Sequence, residues 1–312
     1  MSVNDNLLNL YERHRGKVSD RWMAYLLAYD DLLADRRAQE LNLLEIGIQN
    51  GGSLEIWAEY FPRARLIVGC DISPACAALR YDDPRIQLVV GDICTGETEQ
   101  KIATLAPSWD LIIDDGSHRS SHIVTTFGRY FPRLQAGGTF IAEDLHCSYW
   151  QKFEGGLSDP FSSVSFFKAL IDIVNFEHWG TAATRTQYLA RFARRYRCQF
   201  DESVLAQIHA VEFTNSRCVI HKRAANDNLL GERQVVGTTA QVVPGVQQFA
   251  GSLSVPQDQS SNPWSATRHF DFPYVADPLQ PPPNPVVAAL RWRFNRVRRL
   301  ARNWLTRRQN KR

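Results

Sequence analysis

The chain has 312 residues, of which 44% are hydrophobic and eight are tryptophans, enough for a substantial core in one large or two smaller domains. Its net charge of only +3 excludes a nucleic-acid-binding character spread over the whole chain. Residues 291–312 carry ten Lys and Arg side chains and no acidic one, which leaves 26 basic and 33 acidic residues in the rest. The basic character is therefore concentrated in a C-terminal tail.

The first residues and the cysteines indicate the compartment. The amino terminus lacks the basic and apolar regions of a secretory signal, and no apolar run approaches the roughly 20 residues that span a bilayer. The six cysteines show no C-x-x-C spacing, which favours reduced thiols over a zinc site or a disulfide framework. These features predict a cytoplasmic protein.

The first half of the chain alternates helical and strand patterns. Apolar residues at three- and four-residue steps predict helices within residues 6–40. A strand over 43–48 leads into a glycine-rich turn and a helix over 54–61. Two further strands are predicted over 65–72 and 85–92.

The next elements complete a sheet. A fourth strand is predicted at 111–113, a helix at 120–134 with Gly137-Gly138 as its stop, and a fifth strand at 138–142. Two short strands, 208–213 and 217–221, are separated by three residues and should pair as a hairpin. The alternation predicts an α/β protein with a doubly wound, mostly parallel seven-stranded sheet, Rossmann-like, and an antiparallel last strand.

Composition divides the chain into segments. We expect N-terminal helices over 1–40, the main domain over 41–223 with a helical cap at 151–200, and a linker of little structure over 224–285, which is rich in Gly, Pro and Ser. Residues 286–312 form a basic amphipathic pattern typical of a C-terminal helix. This helix is either solvated, laid on an anionic membrane surface at the inner face of the membrane, or bound to RNA phosphates.

Acidic side chains follow two predicted strands. The fourth strand ends in Asp114-Asp115-Gly116-Ser117-His118, and the fifth ends in Glu143-Asp144. Parallel strands end at the same edge of a sheet, where open α/β folds bind ligands. Asp115, Glu143 and Asp144 should therefore converge on one cation beside His118. Three carboxylates without a cysteine suit a hard cation such as Mg²⁺.

The turn after the first strand has the features of a small-molecule site. In Glu45-Ile46-Gly47-Ile48-Gln49-Asn50-Gly51, the glycines allow the backbone to approach a ligand closely. Asp71 ends the second strand, where an acid accepts ribose hydroxyls, and Asp92 ends the third, where it meets an adenine amino group. Gln49 stands where the dinucleotide fingerprint has its second glycine, which favours S-adenosylmethionine over a diphosphate.

These motifs resemble class I S-adenosylmethionine-dependent methyltransferases, most closely the metal-dependent macrolide-sugar O-methyltransferases, a group that also includes cephalosporin hydroxylase-type relatives. The resemblance covers roughly residues 10–223. Its specific part is the run D-D-G-S-H with E-D-L-x-x-S-Y-W downstream, from Glu143 to Trp150. In that last motif Tyr149-Trp150 either borders the acceptor pocket or belongs to the core.

The resemblance implies roles for the marked residues. Mg²⁺ would be held by Asp115, Glu143 and Asp144, with His118 as the general base. Asp114 either contacts the methyl donor or accepts backbone N–H groups. The implied contacts to S-adenosylmethionine are Glu45, Gly47, Gln49, Asn50, Gly51, Ser53, Asp71, Ile72, Asp92, Ile93 and Asp114.

The leading hypothesis is an O-methyltransferase that acts on a sugar hydroxyl of a glycoside, glycolipid or polysaccharide. The alternatives are a hydroxylase or oxidoreductase that uses the same cleft and an RNA-binding protein that acts through its basic tail. A non-haem iron site would prefer two histidines and one carboxylate, which counts against the hydroxylase. The acidic balance of the main body counts against specific nucleic-acid binding. The acceptor stays open, and so does assembly into a homo-oligomer.

Overall fold

The computed structural model describes residues 6–265, and its centre is a seven-stranded sheet in the order β3-β2-β1-β4-β5-β7-β6. The strands are β1 Asn42–Ile46, β2 Leu66–Asp71, β3 Ile86–Val90, β4 Trp109–Asp114, β5 Leu134–Ala142, β6 Ile208–Thr214 and β7 Arg217–Lys222. The first five are parallel, and β7 runs antiparallel to both β5 and β6. The predicted doubly wound sheet with its closing hairpin is confirmed.

Helices cover both faces of this sheet. They are α1 Leu7–Arg13, α2 Met23–Leu33, α3 Gly52–Tyr60, α4 Gly96–Leu105, α5 Ser120–Tyr130, α6 Ser163–Val174, α7 Arg185–Tyr188, α8 Ala190–Tyr196 and α9 Glu202–Leu205. The central strands are apolar on both faces because helices bury both sides of a parallel sheet. No helix within residues 6–265 is long and apolar enough to cross a membrane.

Alternation along the strands assigns each side chain to one of two core layers. Leu43 and Ile113 pack with α1, α2 and α3, whereas Leu44 and Ile112 pack with α5 and α6 on the other face. The same alternation sends Glu45 to the first layer and Asp114 to the second. The position of a polar residue in this alternation (its parity) therefore determines which of the two layers its side chain contacts at the strand end.

The turn between α5 and β5 differs from the prediction. The helix ends at Tyr130, two residues before Pro132, and β5 begins at Leu134, so Gly137 and Gly138 lie inside the strand and do not stop the helix. The pairing of β4 with β5 shifts register across this point. Gly137 has a φ of +85°, which allows the bulge that the extra residues require.

The segment 151–200, predicted as a cap over the carboxyl edge, takes a different place in the core. Its longest helix, α6, packs against α5 and β6, where Phe166 and Phe167 meet Phe127. The helix is buried here because its apolar stripe faces the second core layer. The short turn Gln151–Phe153 lies close to His118 through Phe153.

The C-terminal part of the described chain has short 3₁₀ turns only. Between residues 224 and 265 these turns are Ala225–Asn228, Val246–Phe249 and Pro263–Ser265. Contacts divide the chain into the units Met1–Gln259 and Ser260–Arg312, and residues 260–265 are the described part of the second. The predicted basic helix over 286–312, with its membrane and RNA alternatives, lies outside the described residues.

Candidate active site at the carboxyl edge of the sheet

Backbone hydrogen bonds align the strand ends that carry the predicted site. The amide of Gly47 donates to the carbonyl of Cys70 at 2.8 Å, and that of Asp115 donates to Ile46 at 2.9 Å. The amide of Glu143 donates to the carbonyl of Asp114 at 2.9 Å. The ladder thus continues one residue past each strand and places the loops after β1, β4 and β5 side by side.

The glycine-rich loop wraps around a cavity of about 560 Å³. Gly47 and Gly51 have φ values of +84° and +78°, which glycine adopts without strain. Asp71 fastens the loop, since its Oδ2 accepts hydrogen bonds from the amides of Ile48 (3.0 Å) and Gln49 (3.1 Å). The predicted donor contacts that line this cavity are Gly47, Gln49, Asn50, Ser53 and Asp71.

Gly47→Ala is expected to reduce the free energy of unfolding by about 1–3 kcal/mol, because a side chain at this φ is strained. A Cβ at Gly47 would also lie 2.2 Å from the carbonyl oxygen of Asp115. Urea unfolding monitored by circular dichroism measures the loss. Gly96→Ala is the matched control, since its Cβ would meet nothing within 4 Å. Equal stability of the two variants would contradict the close approach of the two loops.

A second cavity of about 170 Å³ lies between the ends of β2, β3 and β4, and it shares Gly47, Asp71 and Gly116 with the larger one. The predicted donor contacts Ile72, Asp92, Ile93 and Asp114 line it. Asp114 is buried, and its Oδ2 has no hydrogen-bond partner among the described residues. Burial raises the pKa of Asp114 to about 7. A buried polar atom without a partner is what a bound ligand would satisfy.

Glu45, also predicted as a donor contact, lies beneath the glycine loop and lines neither cavity. It is fully buried on the face of the sheet that α3 covers. Its Oε2 accepts from the hydroxyl of Ser53 at 2.6 Å, and its Oε1 accepts from the indole N–H of Trp57 at 3.2 Å. In this structure Glu45 holds the loop and α3 together.

Asp115, His118 and Asp144 form a cluster on the rim of the larger cavity. One potential ligand atom from each lies within 4.8 Å of the other two, and His118 Nε2 is 3.8 Å from Asp144 Oδ2. His118 and Asp144 have φ values of +57° and +52°. Non-glycine residues in this region are strained and concentrate at functional sites. Burial lowers the pKa of His118, which keeps its imidazole neutral, while Asp144 opposes that shift.

Glu143, the third predicted ligand, has other partners. It is 1% exposed, and its Oε1 accepts from the hydroxyl of Tyr29 while its Oε2 accepts from Arg21 Nε at 3.1 Å. It points to the α1–α2 face because it has the parity of Ile141 in β5. The structure thus gathers two of the three predicted carboxylates with His118 and leaves Glu143 behind them.

Arg21, which sequence reasoning missed, joins three of the acids. Its Nη2 lies 2.9 Å from Glu45 Oε1 and 3.3 Å from Asp115 Oδ2, and its side chain is 2% exposed. Burial and the Glu143 carboxylate raise the pKa of Asp115 well above its usual range, and Arg21 opposes this. The guanidinium therefore offsets part of the negative charge beneath the cluster.

Two more missed residues, Trp22 and Tyr25, hold Asp144. The indole N–H of Trp22 and the hydroxyl of Tyr25 both donate to Asp144 Oδ1 at 3.0 Å. The Tyr25 hydroxyl also accepts from the Asp144 amide at 3.1 Å. The segment 19–25 therefore forms one wall of the site. Its only signal in the sequence was the placement of Arg21 and Trp22 between two helices, with Tyr25 in the first turn of the second.

Known methyltransferases are similar to this chain in sequence and in fold. Residues 44–145 match the model of a family described as Methyltransferase domain. A structure of the MycE methyltransferase of the mycinamycin biosynthetic pathway, in complex with Mg, SAH and mycinamycin VI, superimposes with a TM-score of 0.59 at 24% identity. The match covers 78% of this chain and 58% of MycE. The chain has the class I methyltransferase fold.

Two curated relatives of similar sequence are named as O-methyltransferases. The 8-demethyl-8-alpha-L-rhamnosyl tetracenomycin-C 2'-O-methyltransferase of Streptomyces olivaceus is 37% identical over 177 residues, 54% of this chain and 46% of that protein. The mycinamicin VI 2''-O-methyltransferase of Micromonospora griseorubida is 36% identical over 160 residues, 48% of this chain and 39% of that protein. The chain spans less than half the length of these two relatives.

Proposed function

We propose that this protein is an S-adenosylmethionine-dependent O-methyltransferase that modifies a sugar hydroxyl with the help of a divalent cation. The observation that carries the proposal is the cluster of Asp115, His118 and Asp144 on the rim of the cavity formed by the glycine loop. A methyl donor and a deprotonated alcohol must meet at one point, and this rim joins a donor-sized cavity to a set of acids and a base.

The methyl donor is assigned to the two joined cavities. The smaller one suits the adenine, because Ile72 and Ile93 supply apolar contacts and Asp92 and the partnerless Asp114 Oδ2 supply polar ones. The larger one takes the ribose and the methionine end beside Gly47, Gln49, Asn50 and Ser53. Asp71 lines both cavities, as expected of a residue that contacts the ribose between them.

The side chains of the cluster are suited to a hard divalent cation such as Mg²⁺. Asp115 and Asp144 offer carboxylate oxygens from neighbouring loops, and substrate hydroxyls and water complete such a site. When bound, the cation lowers the pKa of an alcohol and orients its oxygen. Glu143, with its hydrogen bonds to Tyr29 and Arg21, supports the position of Asp115 from behind and is not assigned as a direct ligand.

His118 is assigned as the general base. Its neutral imidazole, kept so by burial, takes the hydroxyl proton at Nε2, the nitrogen that faces Asp144. The alcohol oxygen then forms a bond to the methyl carbon while the bond from that carbon to the sulfonium sulfur breaks. The products are a methyl ether, S-adenosylhomocysteine and a protonated His118, whose charge lies beside Asp144.

The acceptor class is inferred from the relatives, one named as the 2'-O-methyltransferase of an α-L-rhamnosyl tetracenomycin and the other as a mycinamicin VI 2''-O-methyltransferase. We assign a pyranose hydroxyl of a glycoside as the acceptor here. A cytoplasmic location and a homo-oligomeric assembly are further proposals. The first depends on the six free cysteines and the second on the resemblance alone.

The test is an assay with isotope-labelled S-adenosylmethionine, Mg²⁺ and a panel of simple glycosides that includes methyl α-L-rhamnopyranoside. We expect a methyl ether detected by mass spectrometry, loss of product in EDTA and its return with added Mg²⁺. Calorimetry with S-adenosylhomocysteine and with NAD serves as the binding control. Tight binding of NAD without binding of S-adenosylhomocysteine would favour the oxidoreductase alternative instead.

A further inference from the structure

A separate cavity of about 370 Å³ lies beside the acidic cluster. We call it the indole pocket; its lining residues are Trp22, Ala24, Tyr25, His146, Trp150, Asn215 and Ser216. The two indoles are exposed, Trp22 at 60% and Trp150 at 52%. Tryptophan is a costly side chain to leave in water, so two of them on one cavity mark a binding surface.

The walls of the indole pocket are held in place. The ring of His146 lies between the two indoles, with centroids 6.1 Å from Trp22 and 5.0 Å from Trp150, both edge-on. Ser216 fixes this histidine, since its hydroxyl accepts from the His146 amide at 3.1 Å and lies 2.5 Å from the ring Nδ1. A preformed aromatic surface loses little conformational entropy when a ligand binds.

Asp144 lies between the indole pocket and the larger cavity, which we assign to the methyl donor. Its Oδ1 accepts from Trp22 and Tyr25, which line the pocket, while its Oδ2 faces His118 at 3.8 Å on the donor side. A ligand in the pocket therefore lies next to the carboxylate that we assign to the cation. Through Asp144, the indole pocket adjoins the residues that we assign to the reaction.

The chemistry of the lining selects the kind of ligand. No Lys, Arg, Asp or Glu lines the pocket, so it offers no ion pair to a phosphate or a charged peptide. Indole faces pack against the C–H faces of a sugar ring, and the side-chain amide of Asn215 is suited to its hydroxyls. An uncharged pyranose satisfies both requirements.

We propose that the indole pocket is the subsite for the acceptor's pyranose ring, with Trp150 and Trp22 as its stacking surfaces. This inference rests on the proposed function and adds the residues that select the acceptor. Trp150 is the cleaner probe. Trp22 also donates to Asp144, so its loss would disturb the cation site as well.

The first test uses full-length protein labelled with 5-fluorotryptophan and titrated with methyl α-L-rhamnopyranoside at millimolar concentrations, in the presence of S-adenosylhomocysteine and Mg²⁺. Fluorine NMR signals are assigned with Trp22→Phe and Trp150→Phe. We expect the glycoside to shift these two signals and to leave that of the buried Trp109 in place. Unmoved signals of Trp22 and Trp150 would overturn the proposal.

The second test compares steady-state kinetics. Trp150→Ala should raise KM for the glycoside about tenfold, the loss expected for one aromatic stacking contact, with KM for S-adenosylmethionine unchanged. Tyr149→Ala is the matched control, because this neighbour is 45% exposed but lines a different cavity. Equal KM values for both variants and the wild type would overturn the subsite.

The two proposals fail in different ways. Absence of S-adenosylhomocysteine binding in calorimetry refutes the methyltransferase assignment. Methyl transfer that proceeds with wild-type acceptor KM in Trp150→Ala refutes the indole pocket and leaves the methyltransferase assignment standing.

Discussion

His118→Ala is expected to lower the rate of methyl transfer by about 10²–10⁴-fold, the usual contribution of a positioned general base. The reason is geometric. His118 is the imidazole of the cluster with Asp115 and Asp144, and burial keeps it in the neutral form that accepts a proton. The affinity for S-adenosylhomocysteine should change little, because the glycine loop and the smaller cavity are untouched. Turnover under saturating donor and calorimetry measure the two effects.

Two further variants separate loss of the base from loss of structure. His118 has a φ of +57°, so His118→Gly relieves backbone strain and should unfold no more easily than the wild type while remaining inactive. His178→Ala removes a histidine that lies outside both cavities and should leave turnover intact. Near wild-type turnover in His118→Ala would contradict the assignment of His118 as the general base.

Arg21→Met is expected to reduce the free energy of unfolding by about 3–5 kcal/mol, the usual result of removing one partner from a buried ion pair. The Arg21 side chain is 2% exposed and lies within 3.3 Å of Glu45, Asp115 and Glu143. Without it, Glu45 and Glu143 would share a buried site with no cation. Each must then be protonated or hydrated, and both processes oppose folding.

Urea unfolding at pH 7 measures this loss. Arg63→Ala is the matched control: Arg63 pairs with Glu40 at 3.2 Å, but the two side chains are 62% and 52% exposed, so about 0–1 kcal/mol is expected. Arg21→Lys keeps the charge but not the planar group that reaches three carboxylates, and it should fall between Arg21→Met and the wild type. A loss in Arg21→Met no larger than in Arg63→Ala would contradict a role for Arg21 beneath the cluster.

Much of the sheet was predictable because each strand carries its own signal. Buried parallel strands are short apolar runs, and the runs that contain Leu44, Val68, Val89 and Ile112 each occur between helical patterns. The carboxyl-end position of Asp115 and Asp144 followed from the same runs, since parallel strands end at one edge. Missed boundaries, such as Gly137 inside β5, arose because a glycine pair marks a bulge as readily as a stop.

The sequence contains a pattern that predicts the direction of the Glu143 side chain. Glu143, one residue past β5, keeps the parity of Ile141, which predicts a side chain directed at the helical layer of α1 and α2. The hydrogen-bond partner of Glu143 in that layer, Arg21, lies 122 residues earlier, in a segment without helical or strand periodicity. No local pattern connects the two, so only the folded chain shows the pair.

The amino-acid sequence by itself determined the succession of strands and helices along the chain. It also determined the set of polar residues at the carboxyl edge, because periodicity and strand ends are local properties. The tertiary structure alone decided which of those residues face one another. Arg21 beneath the carboxylates, and Trp22 against His146, are contacts between distant segments. They form only when the packing of α1 and α2 brings residues 14–22 across the edge of the sheet.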